Sequence, residues 1–240
     1  FKQTPAYAML RSLVGSEMCI RDSYNVGDLV SEFLYQIGVK DVFGVVSVHN
    51  IPMLDAIGRR NYIKMIPARG EMGAGHMADG YARTTNGLGV VFTSTGPGAA
   101  NVAGAIVESR FAGSAILHFT GQTAIDNLDK NQGTVHDVPD QFGMLKSISK
   151  KAIRISNTED VVTKLMDAVT VALTPPMGPV SIEIPIDIQR TNIERPSTLD
   201  QIKIPNLTNP VQTNNTVSYT HLRAHETPEH LGWRLVLEKK

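Results

Sequence analysis

Short apolar runs separated by helical patterns constrain this chain more than any other feature. The runs fall at 41–46, 63–66, 88–93, 115–119, 151–155 and 180–184. A strand with one wet face alternates apolar and polar side chains, whereas a strand covered on both faces stays apolar along its length. These runs are of the second kind. Before the first of them, Val26, Leu29, Val30, Phe33, Leu34 and Ile37 recur at helical spacing, with Asn25 placed to cap the start and Gly38 to stop the end. Further helices are expected at 51–59, with Pro52 in the first turn, at 71–83, at 98 to about 111, and at 158–173. In the last of these, Glu159 and Asp160 suit the positive end of the helix dipole. Alternating strands and helices predict an α/β fold: a doubly wound, mainly parallel sheet of about six strands with helices on both faces. Residues 122–139 read as a long polar loop, and 189–215, rich in Pro, Asn and Thr, as a linker leaving the domain.

Composition narrows the class of protein. Of 240 residues, 42% are hydrophobic and 19% charged, as in an ordinary globular protein. Formal net charge is zero and no basic stripe is interleaved with aromatics, so nucleic acid is not expected as a partner. No apolar run approaches the roughly 18 residues of a membrane span, so no membrane partner is expected. The single cysteine, Cys19, excludes an internal disulfide framework and favours a reducing compartment, the cytoplasm or an organelle matrix. Both ends, 1–23 and 217–240, resemble translated sequencing-adapter read-through and are expected to be non-native. Setting them aside removes Cys19 and Trp233, and it removes His221, His225 and His230 as a metal cluster; no metal ligands are expected in this chain. What remains is a domain at 24–190 and a linker at 191–216.

In a doubly wound sheet, ligands sit beyond the carboxyl ends of the strands. The turns at those ends carry Ser47-Val-His49-Asn50, Arg69-Gly-Glu71, Ser94-Thr-Gly96-Pro97-Gly98 and Thr120-Gly-Gln122. Taken alone, Gly96 and Gly98 fit a tight strand-to-helix turn without a ligand as well as they fit a cofactor turn. Glu71 alone fits an acid stabilised at a helix start. A dinucleotide fingerprint is a poor match. The run Gly96-Pro-Gly98-Ala-Ala-Asn101 lacks the third glycine, and the next strand ends in His118-Phe119-Thr120 without an acid for a ribose.

Four segments taken in order are more specific. Arg69-Gly-Glu71-Met-Gly-Ala-Gly-His-Met-Ala-Asp-Gly-Tyr-Ala-Arg83, Ser94-Thr-Gly-Pro-Gly-Ala-Ala-Asn101, Thr120-Gly-Gln122 and Gly178-Pro-Val-Ser-Ile-Glu-Ile-Pro-Ile-Asp-Ile-Gln189 together resemble the N-terminal pyrimidine-binding domain of thiamine-diphosphate enzymes of the acetolactate synthase type. The resemblance covers about 25–189. It implies that Glu71 is the catalytic glutamate, hydrogen-bonded to a ring nitrogen of the cofactor's aminopyrimidine to promote proton exchange. It implies that Gly96, Pro97, Gly98, Asn101 and Gln122 bind the cofactor. His136 and Asp137 fall near the segment where relatives place substrate-facing groups, and His49 and Asn50, in a turn that differs from the usual Pro-Gly-Gly type, are likewise expected to face substrate.

The resemblance further implies decarboxylation of a 2-oxo acid such as pyruvate, with transfer or release of the resulting carbanion unit. It implies a homodimer or homotetramer in which a partner subunit's diphosphate-binding domain supplies Mg²⁺, with room for FAD in the full-length enzyme. The Gly-Asp-Gly…Asn pattern that holds diphosphate and Mg²⁺ has no counterpart; Gly27-Asp28-Leu29 lies on the first helix. The chain is therefore expected to be an N-terminal fragment holding half a site. The alternatives are a stand-alone subunit of a two-chain decarboxylase of the sulfopyruvate type, or a non-catalytic regulatory domain.

Overall fold

The computed structural model of this chain describes residues 23–130 and 132–202. The expected non-native ends and most of the expected linker lie outside the described residues, apart from Ser23 and 191–202. The elements are α1 (Val26–Gln36), β1 (Asp41–Gly44), α2 (Ile51–Arg60), β2 (Lys64–Pro67), α3 (Glu71–Thr85), β3 (Gly89–Thr93), α4 (Pro97–Asn101), α5 (Ala103–Ala112), β4 (Ile116–Gln122), α6 (Gln141–Ile148), β5 (Lys151–Arg154), α7 (Val161–Leu173), β6 (Val180–Pro185) and α8 (Ile186–Arg190). The strands form one six-stranded sheet in the order β2-β1-β3-β4-β6-β5, and every pair is parallel. The expected doubly wound α/β fold is what the chain adopts.

Local chemistry explains where these elements begin. Asn25 Oδ1 accepts from the Asp28 backbone N–H at 3.0 Å, and Asp28 Oδ2 accepts from the Asn25 N–H at 3.1 Å, a reciprocal cap at the head of α1. Val26, Leu29, Val30, Phe33 and Leu34 are then fully buried on one side of the helix. Helices α1, α2 and α7 cover one face of the sheet with Phe92, Leu117, Phe119, Ile182 and Ile184. Helices α3, α5 and α6 cover the other with Phe43, Val91 and Ile116. On α3 the buried residues include Ala74, Ala78 and Ala82, whose small side chains let the helix sit close to the sheet.

The chain leaves β1 towards β2 on one side, and β3 then takes the other side of β1. That reversal puts the switch point between β1 and β3, where a doubly wound sheet opens a crevice. Three local expectations change. The single helix expected from 98 is two, α4 and α5, separated at Val102. The long loop after β4 ends in a helix, α6, that the apolar pattern did not predict. Residues 191–202, expected to leave the domain, run back along α1: Ile193 N–H donates to the Tyr24 carbonyl at 2.8 Å, and Leu199 is buried in the core.

Candidate functional site

The strand-end turns meet, as parallel strands require. Glu71 opens α3 directly after Gly70 and is only 9% exposed. Its carboxylate has one hydrogen bond among the described residues, a long one of 3.4 Å from Asn101 Nδ2 to Oε2. A Cβ on Gly98 would stand 2.6 Å from Glu71 Oε1 and 2.6 Å from Ser94 Cβ. Glycine at 98 is thus what admits the carboxylate against the first turn of α4. The acid is buried, has no ion-pair partner among the described residues and keeps acceptor capacity, which suits a ligand that donates or shares a proton.

Gly96 has a different role. Its φ of +55° favours glycine, and a Cβ there would lie 2.0 Å from the His136 carbonyl oxygen. The loop after β4 therefore closes over Gly96. The Gly96 N–H is already taken, donating to Gln141 Oε1 at 2.5 Å. Pro97 and Asn101 are exposed beside it. Gln122, at the end of β4, is buried, and its Oε1 accepts from Thr95 Oγ1 at 3.1 Å and from the Thr123 N–H at 2.8 Å.

Gln141 is the residue that sequence reasoning missed. It is 1% exposed. Besides the Gly96 N–H, its Oε1 accepts from Thr95 Oγ1 at 2.8 Å, while Nε2 donates to the Gly121 carbonyl at 3.1 Å and to Glu183 Oε2 at 2.9 Å. One amide thereby joins the ends of β3, β4 and β6. Glu183 is fully buried and also accepts from Arg154 Nε at 2.5 Å, and Arg154 reaches Asp129 at 2.7 Å. Burial raises the carboxyl pKa of Glu183 above its ordinary value even though Arg154 and Gln141 pull it down. A helix-start signal existed in Asp140, whose side chain accepts from the Gly143 N–H at 2.7 Å.

The residues expected to face substrate divide into two kinds. Asn50 is fully buried, with its Nδ2 donating to the Val45 and Thr93 carbonyls at 2.9 and 3.0 Å and its Oδ1 accepting from the Ser47 N–H at 2.8 Å. It fastens β1 to β3 at the switch point. His49 and His136 instead face each other, with ring centroids 5.8 Å apart. Asp137 is half-buried, and its Oδ2 is buried without a partner among the described residues. Val46, Val48, Ile51, Met72 and Val135 are exposed apolar residues of the segments that follow strands at this edge.

Glu71 and Gly98 lie at the strand-end crevice where doubly wound domains bind small molecules and cofactors. The family model for the thiamine pyrophosphate enzyme, N-terminal TPP binding domain, matches residues 24–144, and the chain belongs to that family. It is 34% identical over 172 residues to the acetolactate synthase large subunit of Lactococcus lactis subsp. lactis, covering 70% of this chain and 29% of that protein. It is 30% identical over 174 residues to the acetolactate synthase isozyme 1 large subunit of Escherichia coli, covering 72% and 30%. With a probable 2-ketoarginine decarboxylase of Pseudomonas aeruginosa it shares 32% identity over 162 residues, covering 68% and 29%. The chain spans less than a third of the length of these curated relatives. Among the described residues, no helix is long and apolar enough to cross a membrane.

Proposed function

We propose that this chain supplies the aminopyrimidine-holding half of a thiamine diphosphate site in an acetolactate synthase-like enzyme. That enzyme decarboxylates a 2-oxo acid and transfers or releases the remaining carbanion unit. One observation carries the reading: Glu71 is buried against Gly98 with a single long hydrogen bond from Asn101. When bound, the cofactor supplies the electron sink that decarboxylation needs. Glu71 holds and exchanges a proton at a ring nitrogen, and Asn101 Nδ2 orients its carboxylate. Gly96, Pro97 and Gly98 form the backbone wall of the site, with Gln122 behind it. Retention of an acid at this position is what favours an enzyme over a regulatory domain.

The remaining parts of the reading concern the longer protein. The diphosphate and Mg²⁺ belong to a partner subunit's diphosphate-binding domain in a homodimer or homotetramer, and FAD is a further cofactor the full-length enzyme can take. The compartment is the cytoplasm or an organelle matrix. On this reading the chain alone is catalytically silent and binds thiamine diphosphate weakly. The decisive variant is Glu71→Gln in the longer enzyme. Turnover is expected to fall by about 10²–10⁴, the usual worth of a positioned acid–base group, while the thermal unfolding midpoint stays close to that of the parent. Unchanged turnover overturns the assignment.

A further inference from the structure

Among the described residues, Glu183 is the one carboxylate without any exposure, and the proton exchange assigned to Glu71 makes no use of it. It lies on β6, more than 80 positions after the Gly96 turn, yet one side chain separates the two. The direction of each hydrogen bond between them is fixed. The Gly96 N–H can only donate and the Gly121 carbonyl can only accept, so Gln141 gives Oε1 to the first and Nε2 to the second. The second hydrogen of Nε2 goes to Glu183 Oε2 at 2.9 Å, and Arg154 Nε donates to Glu183 Oε1 at 2.5 Å. Arg154 is itself held from two further sides, 4.8 Å from the Phe142 ring centroid and 2.7 Å from Asp129 Oδ2. Both oxygens of Glu183 therefore face donors. A carboxylate accepts on both sides, whereas an amide or a neutral acid turns a hydrogen of its own towards one of them.

We propose that Glu183 is a positioning residue: by accepting from both Arg154 and Gln141 it holds the amide that fixes the Thr95–Gly96 turn, and through that turn the groups that place Glu71. The path onward is short. Gly96 precedes α4, whose first turn carries Gly98 and whose last residue is Asn101, the donor to the Glu71 carboxylate. A displaced turn thus moves both the wall behind the acid and its orienting amide. The consequence for turnover rests on the function proposed above; the hold on Gly96 does not.

Glu183→Gln keeps the shape but leaves one accepting oxygen for two donors. The guanidinium takes that oxygen, because charge-assisted bonds are the stronger, and the new N–H meets Gln141 Nε2. Exchanging the two groups, Glu183→Gln together with Gln141→Glu, gives Gly96, Thr95 and Arg154 an acceptor again. Amide exchange at Gly96, followed by NMR in the full chain, is expected to quicken about tenfold in the single variant, the worth of one hydrogen bond. The exchanged pair should return it to within about twofold of the parent. In the longer enzyme, kcat should fall about 10- to 100-fold in the single variant with the KM for the 2-oxo acid unchanged, and recover in the pair. An unaltered Gly96 in the single variant, or no recovery in the pair, overturns the proposal. The parent alone provides a test that does not depend on a variant folding. Burial raises the pKa of Glu183, against the pull of Arg154 and Gln141 and with a smaller push from Asp129. As pH falls, Arg154 keeps its oxygen and the proton settles on the one facing Gln141, so the Gly96 amide resonance should move with the midpoint of the Glu183 carboxyl carbon. A Gly96 signal that does not follow that midpoint also overturns the proposal. Turnover indifferent to Glu71→Gln beside a responsive Gly96 removes the cofactor reading alone; an unresponsive Gly96 beside Glu71-dependent turnover removes only the role of Glu183.

Discussion

On the side of the sheet covered by α1, α2 and α7, Phe92, Leu117, Phe119, Ile182 and Ile184 enter an apolar layer. On the side covered by α3, α5 and α6 the same strands turn Thr93, His118, Thr120, Ser181 and Glu183 inward. His118 Nε2 lies 2.9 Å from Thr93 Oγ1 and its Nδ1 2.9 Å from Ser181 Oγ, which in turn lies 2.6 Å from Ser149 Oγ. The first face is stabilised by contact area, which is non-directional and tolerant of small displacements. The second has an apolar cluster of its own and adds hydrogen bonds, which fix distances and fail when one partner is lost. Glu71 and Gln141 both belong to helices of the second face. The difference teaches where geometry is set: both faces bury apolar side chains, and the second also holds the strand-end turns in register.

Removing an apolar anchor tests the first half of that comparison and should give the largest effect. Phe119 is fully buried and stacks on Phe92 with ring centroids 4.9 Å apart. Phe119→Ala should lower unfolding free energy by about 3–5 kcal/mol, measured by urea denaturation, without changing which turns meet. The second half is tested by Gln141→Leu. This change keeps the volume but strands the Gly96 N–H and one oxygen of Glu183, and leaves the Gly121 carbonyl only a 3.3 Å bond from Thr120 Oγ1. The expected loss is about 2–4 kcal/mol, together with faster amide exchange at Gly96. A loss below about 1 kcal/mol would mean that the three turns hold their positions without the amide.

Much of this arrangement was legible in the chain, and what was not has definite causes. Helix α1 was readable because its cap and its apolar spacing agree. Glu71 and Gly98 were readable because a helix-start acid and a glycine turn occur in order with two further motifs. Helix α6 was not: it is short, and it opens on the buried polar Gln141, which in a sequence looks like more of the preceding loop. Asn50 looked like a group facing substrate, since nothing local says that the carbonyls of Val45 and Thr93 end beneath it. The same holds for 191–202, where Pro, Asn and Thr hide a return path whose anchors, Tyr24 and Glu32, lie more than 150 positions earlier. Contacts distant in sequence and made through polar groups leave no periodicity to read.

Acid should find the polar face first. Burial pushes His118 down to about 3, so the fold requires it neutral. Because the native value lies below the ordinary 6.5, the unfolded chain binds more protons between those two values. Its contribution is therefore complete above about pH 6.5 and is lost as pH falls, by about 2 kcal/mol at pH 5. His49, also lowered, acts in the same direction. Glu183 acts in the opposite one: its raised pKa means that the native state holds a proton longer, so its contribution favours the fold as pH falls through that window. The net slope mixes these terms, so the informative quantity is the difference between the parent and His118→Gln. Urea denaturation of both at pH 7 and pH 5 should show the parent losing about 2 kcal/mol more than the variant. Parallel losses would mean that the hydroxyls of Thr93 and Ser181 accommodate a charged imidazole, and that this face is less strict in its hydrogen bonding than its distances indicate.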